Sequence, residues 1–190
     1  EPMLTESMVL ELIDRGSYEG GPAGRHWVLD PIDGTKGFLR GDQYAIALGL
    51  IEDGEVVLGV LGCPNLPRPD AGKGSIFVAA KGQGVEMYDM DGNALGSALV
   101  HSVESLSAAN FCESVEKGHS SHSQSGQIAE KLGITQDPYR IDSQCKYAAV
   151  ARGDATIYLR LPTKPGYQEK IWDHAAGVAV IEEASWTEIL

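Results

Sequence analysis

The spacing of apolar residues changes along the chain, from a helical period near the start to a strand period in the middle. Apolar residues between Leu4 and Ile13 fall about one helical turn apart and Gly16 follows them, which predicts a first helix. Short β-rich runs then predict a strand and two hairpins, at 27–29, 44–51 with 55–63, and 75–80 with 84–90. The Asp53-Gly54 dipeptide in the first hairpin is a strong turn signal.

The second half of the chain predicts alternating strands and helices. We expect strands within 100–114, up to Ile141 and over 155–161, and helices over 124–132, 143–151 and 173–183. The segment 64–74 holds three prolines and two glycines, which is typical of a surface loop. Hairpins followed by helix–strand alternation favour an α+β fold or a layered α/β sandwich.

The net charge of the chain indicates which kinds of partner it can bind, but says little about its fold. The 190 residues fit one domain or two small ones, and 27 acidic against 15 basic residues give a net charge of −12. Binding to a nucleic-acid polymer needs an excess of Lys and Arg, so this charge argues against that partner but still allows a small phosphorylated ligand.

No apolar run approaches the roughly 18 residues that suggest a membrane span.

The cysteines and the first residues bear on location. Three cysteines without metal-ligand spacing, Cys63, Cys112 and Cys145, fit a reducing compartment. The chain opens at Glu1-Pro2 rather than at a methionine, so we interpret it as a fragment of a longer protein. We expect a cytoplasmic monomer, or an organellar one if a targeting segment precedes Glu1.

Two aspartates three positions apart follow a short apolar run and carry the candidate chemistry. Asp30 and Asp33 offer the oxygen ligands that Mg²⁺ prefers, usually together with substrate phosphate oxygens. A bend at Gly34 would turn backbone amides and the Thr35 hydroxyl toward such a phosphate. Asp-Pro and Asp-Gly are also common turn dipeptides, so these few residues alone leave an ordinary turn equally open.

Longer strings around these residues resemble a known superfamily. Two strings of this chain resemble the signature of the Mg²⁺-dependent, lithium-sensitive phosphatases, the superfamily that includes inositol monophosphatase and fructose-1,6-bisphosphatase. They are Trp27-Val28-Leu29-Asp30-Pro31-Ile32-Asp33-Gly34-Thr35 and Ile171-Trp172-Asp173-His174-Ala175-Ala176-Gly177. The 3'(2'),5'-bisphosphate nucleotidase branch is most similar at four further strings: 36–41, 115–122, 142–147 and 157–160. The resemblance extends over about 14–184.

The resemblance implies a layered fold and a phosphatase activity. The fold would be an α-β sandwich incomplete at both ends, with a metal-binding half at 1–100, a nucleotide-recognition half at 101–190 and the active site between them. The intact protein would remove the 3'(2')-phosphate of adenosine 3',5'-bisphosphate to give AMP and phosphate, and would act on 3'-phosphoadenylyl sulfate. The alternatives are an inositol polyphosphate 1-phosphatase, a catalytically dead nucleotide-binding protein and a non-functional fragment.

The resemblance also implies a metal site. Asp30, Asp33, Asp173 and the backbone carbonyl of Ile32 would hold two or three Mg²⁺ ions. Asp173 is equally a favoured residue type for a helix N-cap. Asp33 and Thr35 would be catalytic, Thr35 by activating water together with an upstream aspartate. That aspartate and an upstream glutamate ligand lie in no recognisable context in these 190 residues, so we expect this chain alone to hydrolyse little.

A third implication is a substrate site. The residues expected to contact the nucleotide are Gly34, Thr35, His119, Ser143, Lys146, Arg160 and Asp173. Four of these residues have a simpler explanation. Thr35 would form hydrogen bonds within its own turn, and Ser143 would cap a helix. Lys146 would be a solvated surface charge, and Arg160 would be an outward-facing residue of a strand. His119 and His122 are alternatively surface histidines, since Mg²⁺ sites seldom use imidazole.

Overall fold

The computed structural model describes residues 4–115, 122–161 and 166–185 and has two sheets. The first is a six-stranded antiparallel meander in the order β1-β2-β3-β4-β5-β6. Its strands are β1 (Arg25–Asp33), β2 (Ala45–Glu52), β3 (Glu55–Pro67), β4 (Lys73–Ala80), β5 (Val85–Tyr88) and β6 (Ala94–Ser97). The second is a small parallel sheet in the order β8-β7-β9, formed by β7 (Phe111–Glu113), β8 (Tyr139–Arg140) and β9 (Ile157–Tyr158).

Five helices complete the described fold. They are α1 (Glu6–Arg15), α2 (Thr35–Arg40), α3 (His122–Leu132), α4 (Cys145–Ala151) and α5 (Ala175–Ala184). Short 3-10 turns cover Leu106–Ala108 and Ile171–Asp173. Within the described residues, none of these helices has the length and apolar character needed to cross a lipid bilayer.

The core lies where α4 and α5 pack against one face of the six-stranded sheet. Leu61 of β3 and Phe77 of β4 are fully buried in it. A Cβ at Gly59 would lie 2.7 Å from the carbonyl oxygen of Ala176, so glycine lets the strand approach α5 closely. The small residues of α5 and β3 therefore set the distance between helix and sheet.

The hairpins and the first helix confirm the pattern-based predictions. Asp53 and Gly54 have φ angles of 48° and 84°, the left-handed conformations that a tight hairpin turn of type I′ requires. The Thr5 hydroxyl accepts a hydrogen bond from the Met8 amide at 3.3 Å and caps α1, which ends at Arg15 before Gly16. Local turn and cap chemistry is therefore sufficient to place these elements.

Several predicted boundaries were wrong because tertiary pairing extends or shortens an element. β3 continues to Pro67 and pairs with Lys73 of β4 across a register shift, so the loop predicted over 64–74 is shorter. β6 was not predicted, and the strand predicted over 155–161 is limited to β9. The division into halves at 1–100 and 101–190 stays a prediction.

Candidate metal and anion site

An irregular end of β1 brings two carboxylates to one place. Asp30 pairs with Ala47 and Asp33 with Ala45, so three steps along β1 match two steps along β2. This extra residue is a β-bulge, and it cancels the alternation that would otherwise direct residues three apart to opposite faces. Asp173 joins them from the 3-10 turn before α5, and one oxygen from each carboxylate lies within 4.8 Å of the others.

The three carboxylates repel one another in a partly desolvated setting. Burial, followed by the nearby charges of Asp33 and Asp173, raises the pKa of Asp30. Burial and Asp173 raise the pKa of Asp33, although the Gln144 amide donates a 2.5 Å hydrogen bond to Asp33 Oδ2 and favours its charged form. The ionised forms of Asp30 and Asp33 are therefore disfavoured in the metal-free chain. A crowded set of oxygen donors of this kind fits a hard divalent cation such as Mg²⁺.

Gly34 lets the end of β1 touch the segment that leads into α4. Its φ of 83° is left-handed, and a Cβ there would lie 2.7 Å from the Ser143 Cβ. Ser143 has a φ of 64°, and its hydroxyl accepts the Cys145 amide at 3.2 Å. The N-cap of α4 is Gln144, so Ser143 precedes the cap position that the alternative gave it. The close approach places the backbone beside Asp33 against α4.

One cleft of about 300 Å³ is lined by every predicted site residue that the structure describes. The predicted residues that line it are Asp30, Ile32, Asp33, Gly34, Thr35, Ser143, Lys146, Arg160 and Asp173. Thr35 is the first residue of α2 and lies next to Lys36 and Gly37 in the cleft wall. His119 and the side chain of His122 lie outside the described residues, so their roles stay predictions.

Lys146 brings a buried ammonium group to the cleft. Its side chain is buried on α4, and Nζ lies 5.6 Å from the centroid of the Tyr158 ring. This burial contradicts the alternative of a solvated surface charge. Burial, with a contribution from Arg160, lowers the pKa of Lys146, while the charge of Asp33 opposes the shift. Because the ammonium group is already buried, little further water has to be removed from it when it binds an anion.

Arg160 is held by a carboxylate that the sequence did not single out. Arg160 Nε donates to Glu169 Oε1 at 2.9 Å, and Nη2 lies 2.6 Å from Glu169 Oε2 and 4.0 Å from Asp173 Oδ2. The structure contradicts the alternative of an N-cap at Asp173, because His174 is the N-cap of α5 and Asp173 Oδ2 accepts the Lys170 amide in its own turn. Glu169 had no sequence signal beyond its charge.

Asp142 is a second residue missed by the sequence analysis. Its carboxylate accepts the Ser114 hydroxyl at 2.9 Å and the Val115 amide at 3.1 Å, and it pairs with Arg40 of α2 at 2.6 Å. It therefore connects the end of β7, α2 and the segment before α4. Its position next to Ser143 in the string 142–147 was the available signal.

The chain is similar to known proteins over most of its length. Residues 5–185 match the inositol monophosphatase family. A 3'(2'),5'-bisphosphate nucleotidase of Oryza sativa is 55% identical over 93% of the chain and 52% of its own length. The 3'(2'),5'-bisphosphate nucleotidase 1 of Arabidopsis thaliana is 55% identical over 95% of the chain and 54% of its own length. The chain thus spans about half the length of the curated relatives it matches.

A solved structure adds an independent comparison of the fold. Mycobacterium tuberculosis SuhB superposes with a TM-score of 0.65 at 26% identity, over 94% of this chain and 70% of that one. The family match covers almost all described residues. The chain therefore belongs to the inositol monophosphatase family.

Proposed function

We propose that the protein carrying this chain is a Mg²⁺-dependent phosphatase that converts adenosine 3',5'-bisphosphate to AMP and phosphate, and that also removes the 3'-phosphate of 3'-phosphoadenylyl sulfate. The observation that carries the proposal is one cleft that is lined both by a cluster of three carboxylates and by Lys146 and Arg160. The names of the similar proteins from Oryza sativa and Arabidopsis thaliana support this substrate class.

In this proposal Asp30, Asp33, Asp173 and the Ile32 carbonyl hold two or three Mg²⁺ ions. Bound Mg²⁺ would supply charge neutralisation at the phosphate and a water of lowered pKa. Such chemistry needs positioning and charge stabilisation more than a protein nucleophile, which fits a cleft rich in carboxylates. The Thr35 hydroxyl orients the attacking water, and the backbone at Gly34 contacts the phosphate that is removed.

Other residues of the same cleft hold the part of the substrate that does not react. Lys146 and Arg160 bind the retained phosphate, for which the planar guanidinium offers paired donors. Ser143 and His119 contact the nucleoside.

We also propose that the protein is a monomer, and sedimentation velocity tests this oligomeric state.

The experiment separates nucleotide from inositol phosphate substrates. A full-length protein containing these residues is expected to release phosphate from adenosine 3',5'-bisphosphate much faster than from inositol 1,4-bisphosphate, and only with Mg²⁺. A preference for the inositol phosphate would replace the proposed substrate. Calorimetry on the 190-residue chain tests binding separately, and binding of the nucleotide without turnover by the full-length protein would indicate a binding protein.

A matched pair of variants ties the reaction to the carboxylates. Asp33→Asn is expected to remove activity, whereas Asp91→Asn makes the same chemical change at an exposed position in the turn before β6 and is expected to leave activity unchanged. Equal losses in both variants would mean that the effect is unrelated to the cleft.

A further inference from the structure

Arg160 lies between two carboxylates, and its short contacts are with Glu169, while Asp173 lies at the limit of an ion pair. Its Nε and Nη2 atoms contact Glu169 at 2.9 and 2.6 Å, while Nη2 remains 4.0 Å from Asp173 Oδ2. Arg160 and Asp173 line the cleft, whereas Glu169 is not among the described residues that line it. Glu169 therefore holds the guanidinium from outside the cleft.

Glu169 is itself tied to the buried helix α4. Its Oε2 atom lies 3.5 Å from His174 Nε2, and His174 Nδ1 lies 2.7 Å from the Tyr147 hydroxyl. Tyr147 is buried next to Lys146 on α4. The side chains of Arg160 and Glu169 are only 29% and 30% exposed, so their pairing is partly shielded from water.

Removal of the Glu169 charge would change the position of Arg160. A guanidinium that loses its partner forms a charge-assisted pair with the next carboxylate within reach, and a shift of about 1 Å brings Nη2 to hydrogen-bonding distance of Asp173. Asp173 Oδ2 also belongs to the three-carboxylate cluster. Arg160 would then compete with a metal ion for the same carboxylate.

We propose that Glu169 is a positioning residue that keeps Arg160 away from Asp173, so that Asp173 stays available to a divalent cation and Arg160 to a substrate anion. This inference deepens the proposed function and rests on it, because it takes Asp173 as a metal ligand. It assigns to Glu169 an indirect effect on metal affinity that acts through Arg160.

The test measures Mg²⁺ affinity without any turnover. The midpoint of thermal unfolding of the 190-residue chain is followed against Mg²⁺ concentration, because a ligand that binds the folded state raises it. Glu169→Gln is expected to need roughly tenfold more Mg²⁺ for the same shift, as for other residues that orient a metal ligand. Arg160→Gln alone is expected to need no more Mg²⁺ than the original chain.

The double variant separates positioning from general support of the fold. Adding Arg160→Gln to Glu169→Gln is expected to restore the Mg²⁺ response, since the competitor has been removed. Glu55→Gln is the matched control, because it removes an exposed carboxylate paired with Lys81 at 2.5 Å and far from the cleft in sequence. Its Mg²⁺ response is expected to equal that of the original chain.

Different outcomes overturn different statements. An unchanged response in Glu169→Gln, or a double variant as weak as Glu169→Gln, would overturn the role of Glu169 while leaving the metal site intact. An original chain whose midpoint does not respond to Mg²⁺ would overturn the metal site, and the role of Glu169 with it. If Glu169→Gln does not unfold cooperatively, Arg160→Gln decides, and a weaker Mg²⁺ response in that variant contradicts the competition.

Discussion

At the scale of single residues, Asp33 shows a conflict between stability and chemistry. Burial and the charge of Asp173 raise its pKa, so its ionised form costs the metal-free fold free energy. Asp33→Asn keeps an acceptor for the Gln144 amide and removes the repulsion. We expect the metal-free variant to unfold at no lower a temperature than the original chain, while turnover by the full-length protein falls roughly a thousandfold.

Calorimetric unfolding and phosphate release at saturating Mg²⁺ check both parts of this prediction. A variant that unfolds cooperatively but keeps more than about a tenth of the original rate would remove Asp33 from the metal site, since one lost metal ligand should cost several kcal/mol of barrier. A large drop in the unfolding temperature would instead assign Asp33 a structural role.

Lys146 gives a second prediction at this scale, and it depends on pH. Because burial lowers the pKa of Lys146 in the folded state, its charged form destabilises the fold below that pKa, and the cost disappears as pH rises toward the pKa of an unfolded lysine. Lys146→Met keeps most of the buried volume without the charge. We expect it to be more stable than the original chain at neutral pH, with a difference that shrinks toward alkaline pH.

The same substitution should weaken nucleotide binding, because an apolar side chain cannot hold the retained phosphate. In the full-length protein KM is expected to rise with a smaller effect on kcat, as for a contact that is similar in the ground and transition states. AMP, which lacks the 3'-phosphate, should bind the 190-residue chain more weakly in the variant as well. A lower stability at neutral pH would contradict the assigned cost of the buried charge.

At the scale of elements, one side chain connects α5 to the β4–β5 hairpin by hydrogen bonds. Glu183 of α5 accepts hydrogen bonds from the amides of Gly82, Gln83 and Gly84, at 2.9 to 3.1 Å, in the turn between β4 and β5. Glu183→Ala leaves three amides without this acceptor. We expect it to lower the free energy of unfolding by about 1–3 kcal/mol.

Urea denaturation measures this loss, and the neighbouring residue provides the control. Glu182 precedes Glu183 in the same turn of α5 but is exposed. Glu182→Ala is expected to change the free energy of unfolding by less than about 0.5 kcal/mol, as for most surface substitutions. Similar effects of both changes would indicate that helix propensity, rather than the contact with the hairpin, determines the loss.

The elements also show what sequence patterns can specify. The β2–β3 hairpin and α1 depend on local chemistry, at Asp53-Gly54 and Thr5, and both were predicted correctly. The bulge between Asp30 and Asp33 depends on pairing with β2, which no local pattern encodes. Asp173 was assigned to a helix start because its residue type suits a cap, yet the chain forms a 3-10 turn there and begins α5 two residues later.

At the scale of the whole molecule, the cleft assembles residues that are far apart in the chain. The three-carboxylate cluster takes its members from both 30–33 and 173, and Lys146 and Arg160 join it from two further segments. The resemblance of separate strings predicted which residues would meet, because each string carries its own part of the signature. It did not predict Glu169 or Asp142, since their contacts with Arg160 and Arg40 arise only in the folded chain.

Metal binding should therefore connect β1 to the turn before α5 and stabilise the chain as a unit. Mg²⁺ in the millimolar range is expected to raise the unfolding midpoint of the 190-residue chain more than NaCl of equal ionic strength, which only screens the net charge of −12. Excess EDTA should reverse the shift. In the full-length protein, Li⁺ is expected to inhibit by competing for the same oxygens with too little charge to support the reaction. Inhibition that extra NaCl reproduces, or a thermal shift that Asp33→Asn leaves intact, would show that the ions act on the general charge of the molecule and not on the three-carboxylate cluster.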